Sequence, residues 1–182
     1  MAAGTNNAIG LTEEPTIVGL ATAQAVRGHG FRPLDRLVVT SPRGSWTALV
    51  DVVGVRTPWT GARAIWEATE LVEAFVVNAT RTATGIAAVA AALGTIPPRT
   101  ARRIRFGPGR SLRVPLAPGL VTEVEIAEVE DLARGVAVPI DPRDRLLALD
   151  GERRVVGDEA TVAVAGGPSI LDLDAAFTGD DA

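Results

Sequence analysis

The apolar positions of this 182-residue chain follow a helical period once, near the start, and a two-residue period through most of the rest. Ile17, Leu20, Ala21, Gln24 and Ala25 recur at helical spacing. Thr16, Thr22 and Arg27 leave one face wetter, as in a helix lying on a sheet. Thr12-Glu13-Glu14-Pro15 supplies the start: a capping hydroxyl, acids at the positive end of the dipole, and a proline tolerated in the first turn. Gly28 and Gly30 supply the stop. No strand-like run precedes this helix.

After it, Arg36 to Thr40 and Thr47 to Arg56 read as strands joined by the turn Ser41-Pro42-Arg43-Gly44, and Glu70 to Asn78 as a third. Ala83 to Leu93, "ATGIAAVAAAL", reads as a short buried helix with Gly94 behind it. From Arg102 onward the chain reads as all β. "RRIRF", "SLRVPL", "LVTEVEIAEVE", "GVAVPI", "RLLALD", "RRVV", "ATVAVA" and "SILDLD" are separated by Gly, Pro or Asp turns, as in a sandwich or meander. In "TEVEIAEVE", Val124, Ile126 and Val129 point inward and the glutamates outward, with the phase slipping near Ala127. Asp150-Gly151 is a hairpin signal.

Composition narrows the function classes. Hydrophobic residues are 47% and charged residues 22%, so a core can form. A net charge of -4 argues against a nucleic-acid surface, which needs a basic stripe. Every basic residue is arginine, so anion contacts fall to guanidinium or backbone N–H groups. With no Cys and one histidine, His29, thiolate and His-cluster metal sites are excluded. The apolar run Ile86 to Leu93 is too short to span a bilayer, and no signal-like segment comes first, so the reading is a soluble cytoplasmic protein.

Three features carry candidate chemistry. Gly4-Thr5-Asn6-Asn7 offers hydroxyl and amide groups suited to ribose or base edges, or is a solvated terminus. Asp51, inside "ALVDVVGV", is either hydrogen-bonded in the core or reaches a ligand, since an unpaired buried carboxylate is costly. In "NATRTATGIAAVAAA", Thr82, Thr84 and Gly85 stand at a strand-to-helix junction. They either receive a ligand at the helix start or cap it in the ordinary way. The arginine-rich "RTARRIRFGPGR" reads as a solvated edge strand blunted by charge. No nucleophile–base arrangement emerges.

The segments "GTNNAIGLTEEPTIVGLATA", "ALVDVVGV", "GARAIWE", "VPLAPGLV" and "ALDGERRV" occur in an order that resembles the C-terminal half of the ATP-NAD kinase family, especially its AcoX-like branch. The resemblance covers nearly the whole chain. It implies an α+β, mostly β fold: a β-sandwich-type C-terminal domain over 35–176 and a remnant of an α/β domain over 1–34; the Asp/Gly-rich composition over 177–182 reads as a flexible tail. In complete members a GGDGT loop holds ATP, and its Asp activates the ribose 2′-hydroxyl of NAD for phosphorylation to NADP with Mg²⁺. This sequence contains no GGDGT, which by family order would precede Met1.

The resemblance therefore implies no catalytic residue in this chain, and ATP and Mg²⁺ only where a separate GGDGT-bearing domain is supplied. It implies a dinucleotide surface for NAD formed by Thr5, Asn6, Asn7, Asp51, Thr82, Thr84 and Gly85, with Val50 replacing the family's Asn before the acid. Asp150 and Gly151 match a late "DG" that reads as a turn. Three readings follow: the dinucleotide-binding portion of an NAD kinase-like enzyme, a non-catalytic AcoX-like nucleotide-binding or oligomerisation module, or a structural β-domain similar to the kinases only in fold. Family members are commonly homo-oligomers, and an apolar face near residues 8 to 25 is expected to find a partner.

Overall fold

The computed structural model describes residues 13–28, 30–56, 65, 67–141 and 146–178. Thr5, Asn6, Asn7, Thr12 and His29 lie outside them, as do most of "GARAIWE" and positions 179–182. The described chain is mostly β. It begins with α1 (Pro15–Ala25), β1 (Phe31–Ser41), β2 (Gly44–Ala48) and β3 (Asp51–Val55). A 3-10 turn (Ala68–Glu70), β4 (Leu71–Val76) and α2 (Ile86–Ala92) follow. Then come β5 (Thr100–Ala117), β6 (Leu120–Ala133), β7 (Ala137–Pro139), β8 (Leu146–Leu149), β9 (Glu152–Val155), β10 (Thr161–Leu171) and α3 (Leu173–Thr178).

The strands form two antiparallel sheets, one ordered β2-β1-β10-β7 and the other β6-β5-β4-β3-β8-β9. Alternation places Leu37, Val39, Val162 and Val164 of the first sheet against Val52, Phe75, Val77, Leu147 and Leu149 of the second, making the core between them. β3 and β4 are buried on both faces because the larger sheet is covered twice. Val53, Val76 and Ile104 meet Ile86, Ala87 and Val89 of α2 on its other side. Each fully buried Val or Leu contributes about 1.5–3 kcal/mol, so these two clusters dominate stability.

Several elements differ from the sequence pattern. Thr47 to Arg56 is not one strand. It breaks at Leu49-Val50, and β2 and β3 join different sheets, because the backbone N–H groups of the break are taken up by a side chain described below. The Ala-rich helix begins at Ile86 rather than Ala83. Gly85 is its N-cap at φ 75°, a conformation that only glycine adopts readily, so neither Thr82 nor Thr84 stands at the N-cap position. Glu14, not Thr12, caps α1: its carboxylate accepts from the N–H groups of Thr16 at 2.8 Å and Ile17 at 3.3 Å. Of the periodic residues in α1, Ala21 and Ala25 pack against Ala176 of α3, whereas Ile17 and Leu20 face outward, 43% and 55% exposed.

The arginine-rich stretch is not an edge strand. "RRIRF" and "SLRVPL" form one long strand, β5, between β4 and β6, with Arg102 and Arg103 buried. Arg103 donates from Nε and Nη2 to Glu73 Oε2 at 3.0 and 2.9 Å and lies over the Phe75 ring. Arg102 makes a two-pronged pair with Asp131 and donates to the carbonyls of Ala90 and Gly94, closing the C-terminal end of α2. The inferred phase slip is present. Ile126 pairs with both Phe106 and Arg110, and Glu128 with Arg105, so Ala127 is bypassed. The bulge needs Gly109, where a Cβ would run into the Ile126 carbonyl oxygen. Val124 and Ile126 are buried, but beyond the slip Val129 turns outward. "ATVAVA" and "SILDLD" merge into β10, and Phe177 and Thr178 end α3.

Candidate functional site

The candidate site lies where β2 turns into β3. The Asp150-Gly151 turn between β8 and β9 has both residues at positive φ, 47° and 88°, the two-residue hairpin geometry that an Asp-Gly pair favours. This geometry carries the Asp150 carboxylate back over the β2–β3 corner. Oδ2 accepts from Leu49 N–H at 2.7 Å, and Oδ1 from Val50 and Asp51 N–H at 2.8 and 3.1 Å. The Asp150 N–H in turn donates to the Asp51 carbonyl at 3.0 Å. Three consecutive amides aimed at one carboxylate form an anion cradle filled from within the protein.

The other side of the corner is held by the segment leaving β4. Val77 N–H donates to the Val50 carbonyl at 2.9 Å. Asn78, at φ 53°, donates from Nδ2 to the carbonyls of Leu49 at 2.7 Å and Asp35 at 2.6 Å. Asp35 accepts from Arg99 N–H at 2.9 Å and from the Arg134 guanidinium, tying β1 to the ends of β5 and β6.

This scaffold places Asp51 as the first residue of β3, opposite Val76 and only 4% exposed. Alternation puts it on the α2 side of the sheet, in phase with Val53. The β4–α2 loop comes to the same side: Ala83 and Ile86, which flank Thr84-Gly85, pack in one cluster with Val50 and Val76. Gly85 N–H donates to the Pro115 carbonyl at 2.9 Å, fixing the loop beside β5. Thr84 is half-buried; Thr82 is exposed, its hydroxyl 3.4 Å from that of Thr80. Asp51 and the Thr84-Gly85 pair thus lie on the same side of the larger sheet, Asp51 opposite Val76 and Gly85 beside Pro115 of β5, with Thr82 exposed on the same loop. The structure supplies no position for Thr5, Asn6 and Asn7, which lie outside the described residues.

The corner also uses two residues that the sequence reading gave no binding role. Asp150 was legible as a turn but not as an amide acceptor, because its partners lie about 100 residues earlier. Asn78 stood among the polar residues of the junction, and its left-handed backbone gives no sequence signal beyond being Asn. Among the described residues, no group of three His, Cys, Asp or Glu side chains is placed to hold a metal. Among them too, no helix is long and apolar enough to cross a membrane.

Comparison with known proteins bears on the same segment. The family described as acetoin catabolism protein X C-terminal domain matches residues 35–166, from β1 into β10. Acetoin catabolism protein X of Cupriavidus necator is 33% identical over 186 aligned positions, covering 90% of this chain and 51% of the relative. The chain spans about half the length of that relative, and the similarity extends beyond the matched domain into its flanks. The chain belongs to the family of the acetoin catabolism protein X C-terminal domain.

Proposed function

We propose that this chain is a nucleotide-binding module of the acetoin catabolism protein X type, without phosphoryl transfer of its own. The observation that supports the reading is the buried Asp51 at a corner held by Asp150 and Asn78, with the Thr84-Gly85 loop on the same side of the sheet, all within the matched domain. A buried carboxylate suits acceptance of hydrogen bonds from ribose hydroxyls, and half-buried Thr84 on the same side of the sheet offers a hydroxyl that both donates and accepts. NAD is the ligand we propose, with Thr5, Asn6, Asn7, Thr82 and Gly85 completing its surface. The polar groups of the corner are mostly committed to holding its backbone, so weak binding is expected.

Phosphoryl transfer in the manner of an ATP-dependent NAD kinase would require a second unit bringing ATP, Mg²⁺ and a base. Such a unit, or another copy of the chain in a homo-oligomer, is a fitting partner for the exposed apolar residues Ile17, Leu20 and Val26. We propose a cytoplasmic location for the assembly.

Isothermal titration tests the reading. NAD is expected to bind the purified chain weakly and ATP more weakly still, with no NADP formed when both are present. Asp51→Asn is expected to weaken NAD binding about tenfold, equivalent to one charged hydrogen bond, with little change in thermal stability. A large loss of stability in Asp51→Asn would make the residue structural. NADP formation by the purified chain would restore the kinase reading.

A further inference from the structure

A groove of about 430 Å³ runs between the β4–α2 loop, the outer side of α2 and the far end of β5. Its lining includes Ala83, Ala88, Ala91 and Val114, with Arg81 and Arg113 adding two guanidinium groups. The volume is in the range of small-molecule sites. The alanines leave a shallow floor without polar groups, and the two arginines are exposed.

Arg113, like Arg110, makes no ion pair among the described residues, unlike the three arginines at the start of its strand. Arg102, Arg103 and Arg105 each pair with an acid: Asp131, Glu73 and Glu128. Arg113 has Glu123 directly across the ladder, yet the two form no ion pair. Glu123 lines a different groove, with Arg56 and Phe106, while Arg113 lines the alanine-floored one. Among the described residues, no acid lines this groove. Two exposed guanidinium groups on a groove whose described lining carries no acid can take a phosphate, with Glu123 across the ladder from Arg113 as a competing charge, and the lack of lysine makes arginine the side chain available for that task.

We infer that this groove binds the phosphate-bearing part of a nucleotide, with Arg81 and Arg113 on the phosphates and the alanine floor beneath the ribose or base. The inference rests on the nucleotide reading of the adjacent β4–α2 loop and extends it to a phosphate subsite. Gly85 links the two: its N–H to the Pro115 carbonyl holds the loop against β5, so Arg81 and Arg113 line the same groove. The ligand phosphates are expected to make binding salt-sensitive.

Amide-detected NMR titration of the chain with ADP, adenosine and inorganic phosphate tests this, with Arg81→Ala and Arg113→Ala as variants. Both side chains are exposed, so both variants are expected to fold, and a thermal melt checks it. ADP is expected to shift the amides of Ala83, Ala88, Ala91, Arg113 and Val114. Adenosine is expected to bind at least tenfold more weakly, and each variant to lose at least fivefold in ADP affinity. Absence of shifts in the groove, or ADP affinity unchanged in both variants, overturns the inference. Inorganic phosphate binding as tightly as ADP overturns the nucleotide assignment. NAD binding that depends on Asp51 but not on Arg81 or Arg113 removes the groove and leaves the proposed function standing. ADP shifts confined to the groove and lost in the arginine variants, with NAD indifferent to Asp51→Asn, keep the groove and remove the Asp51 site.

Discussion

Asp150 shows how much one side chain can carry. Its carboxylate accepts from three consecutive backbone amides, so Asp150→Ala leaves two part-buried N–H groups and one exposed one without their partner. At about 1–3 kcal/mol for each group that loses its bond, softened by water at this partly open corner, Asp150→Ala is expected to destabilise by about 3–5 kcal/mol in urea unfolding. Asp150→Asn, which keeps one acceptor oxygen, is expected to lose less. Glu73 makes a different case. It is 1% exposed and accepts from Arg103 and from the Asp141 N–H, so Glu73→Gln leaves the buried guanidinium with only the half-exposed Glu130, 3.9 Å away, as counter-charge. A loss of about 3–5 kcal/mol is expected, with part of it regained in the apolar double variant Glu73→Leu/Arg103→Met. Legibility divided along this line. The Asp-Gly turn was readable because turn chemistry is local. The roles of Arg102 and Arg103 were not, because a charged strand reads the same whether its counter-charges are solvent or an acid 30 residues away.

Elements were legible where one period held and one face was buried. β4, β8, β9 and the β5–β6 bulge follow from alternation and its slip. α1 was harder, because it is apolar on more than one side while burying mainly two alanines. Ala25→Leu is expected to destabilise by about 1–3 kcal/mol, since Ala25 crowds Gly30 and packs on Ala176. Leu20→Ser is expected to stay within about 0.5 kcal/mol in the isolated chain, being 55% exposed. A larger loss at Leu20, together with a shift to smaller particles in sedimentation, would locate a self-association surface on α1. The start of α2 was misplaced for a physical reason. Ala83 and Thr84 suit a helix as well as the residues after them do. The bond from Gly85 to Pro115, a tertiary contact, keeps the loop extended until Ile86. Gly85→Ala is accordingly expected to cost about 1–3 kcal/mol by thermal melt, because φ 75° with ψ -148° strains any side chain.

At the scale of the whole molecule, the mostly β architecture and its antiparallel sheets were readable from the strand count and turn spacing. The partition into two sheets was not, because the sequence does not mark which neighbour each strand takes. β1 waits for β10: Thr40 pairs with Thr161, about 120 residues later, and β10 also carries β7 on its other side. The smaller sheet therefore has no centre until β10 arrives, and its formation closes a long loop. Folding is expected to take milliseconds to seconds, as for other sheets built from distant strands, and stopped-flow refolding measures it. Synthesis adds a sharper constraint. A nascent chain made only through β9 leaves Leu37, Val39 and Phe75 without the covering strand, and its open edges invite pairing with other chains. On a ribosome stalled before residue 161, the larger sheet is expected to resist protease while β1 and β2 are cut. In the cell, the interval before β10 emerges is when this protein most needs a chaperone.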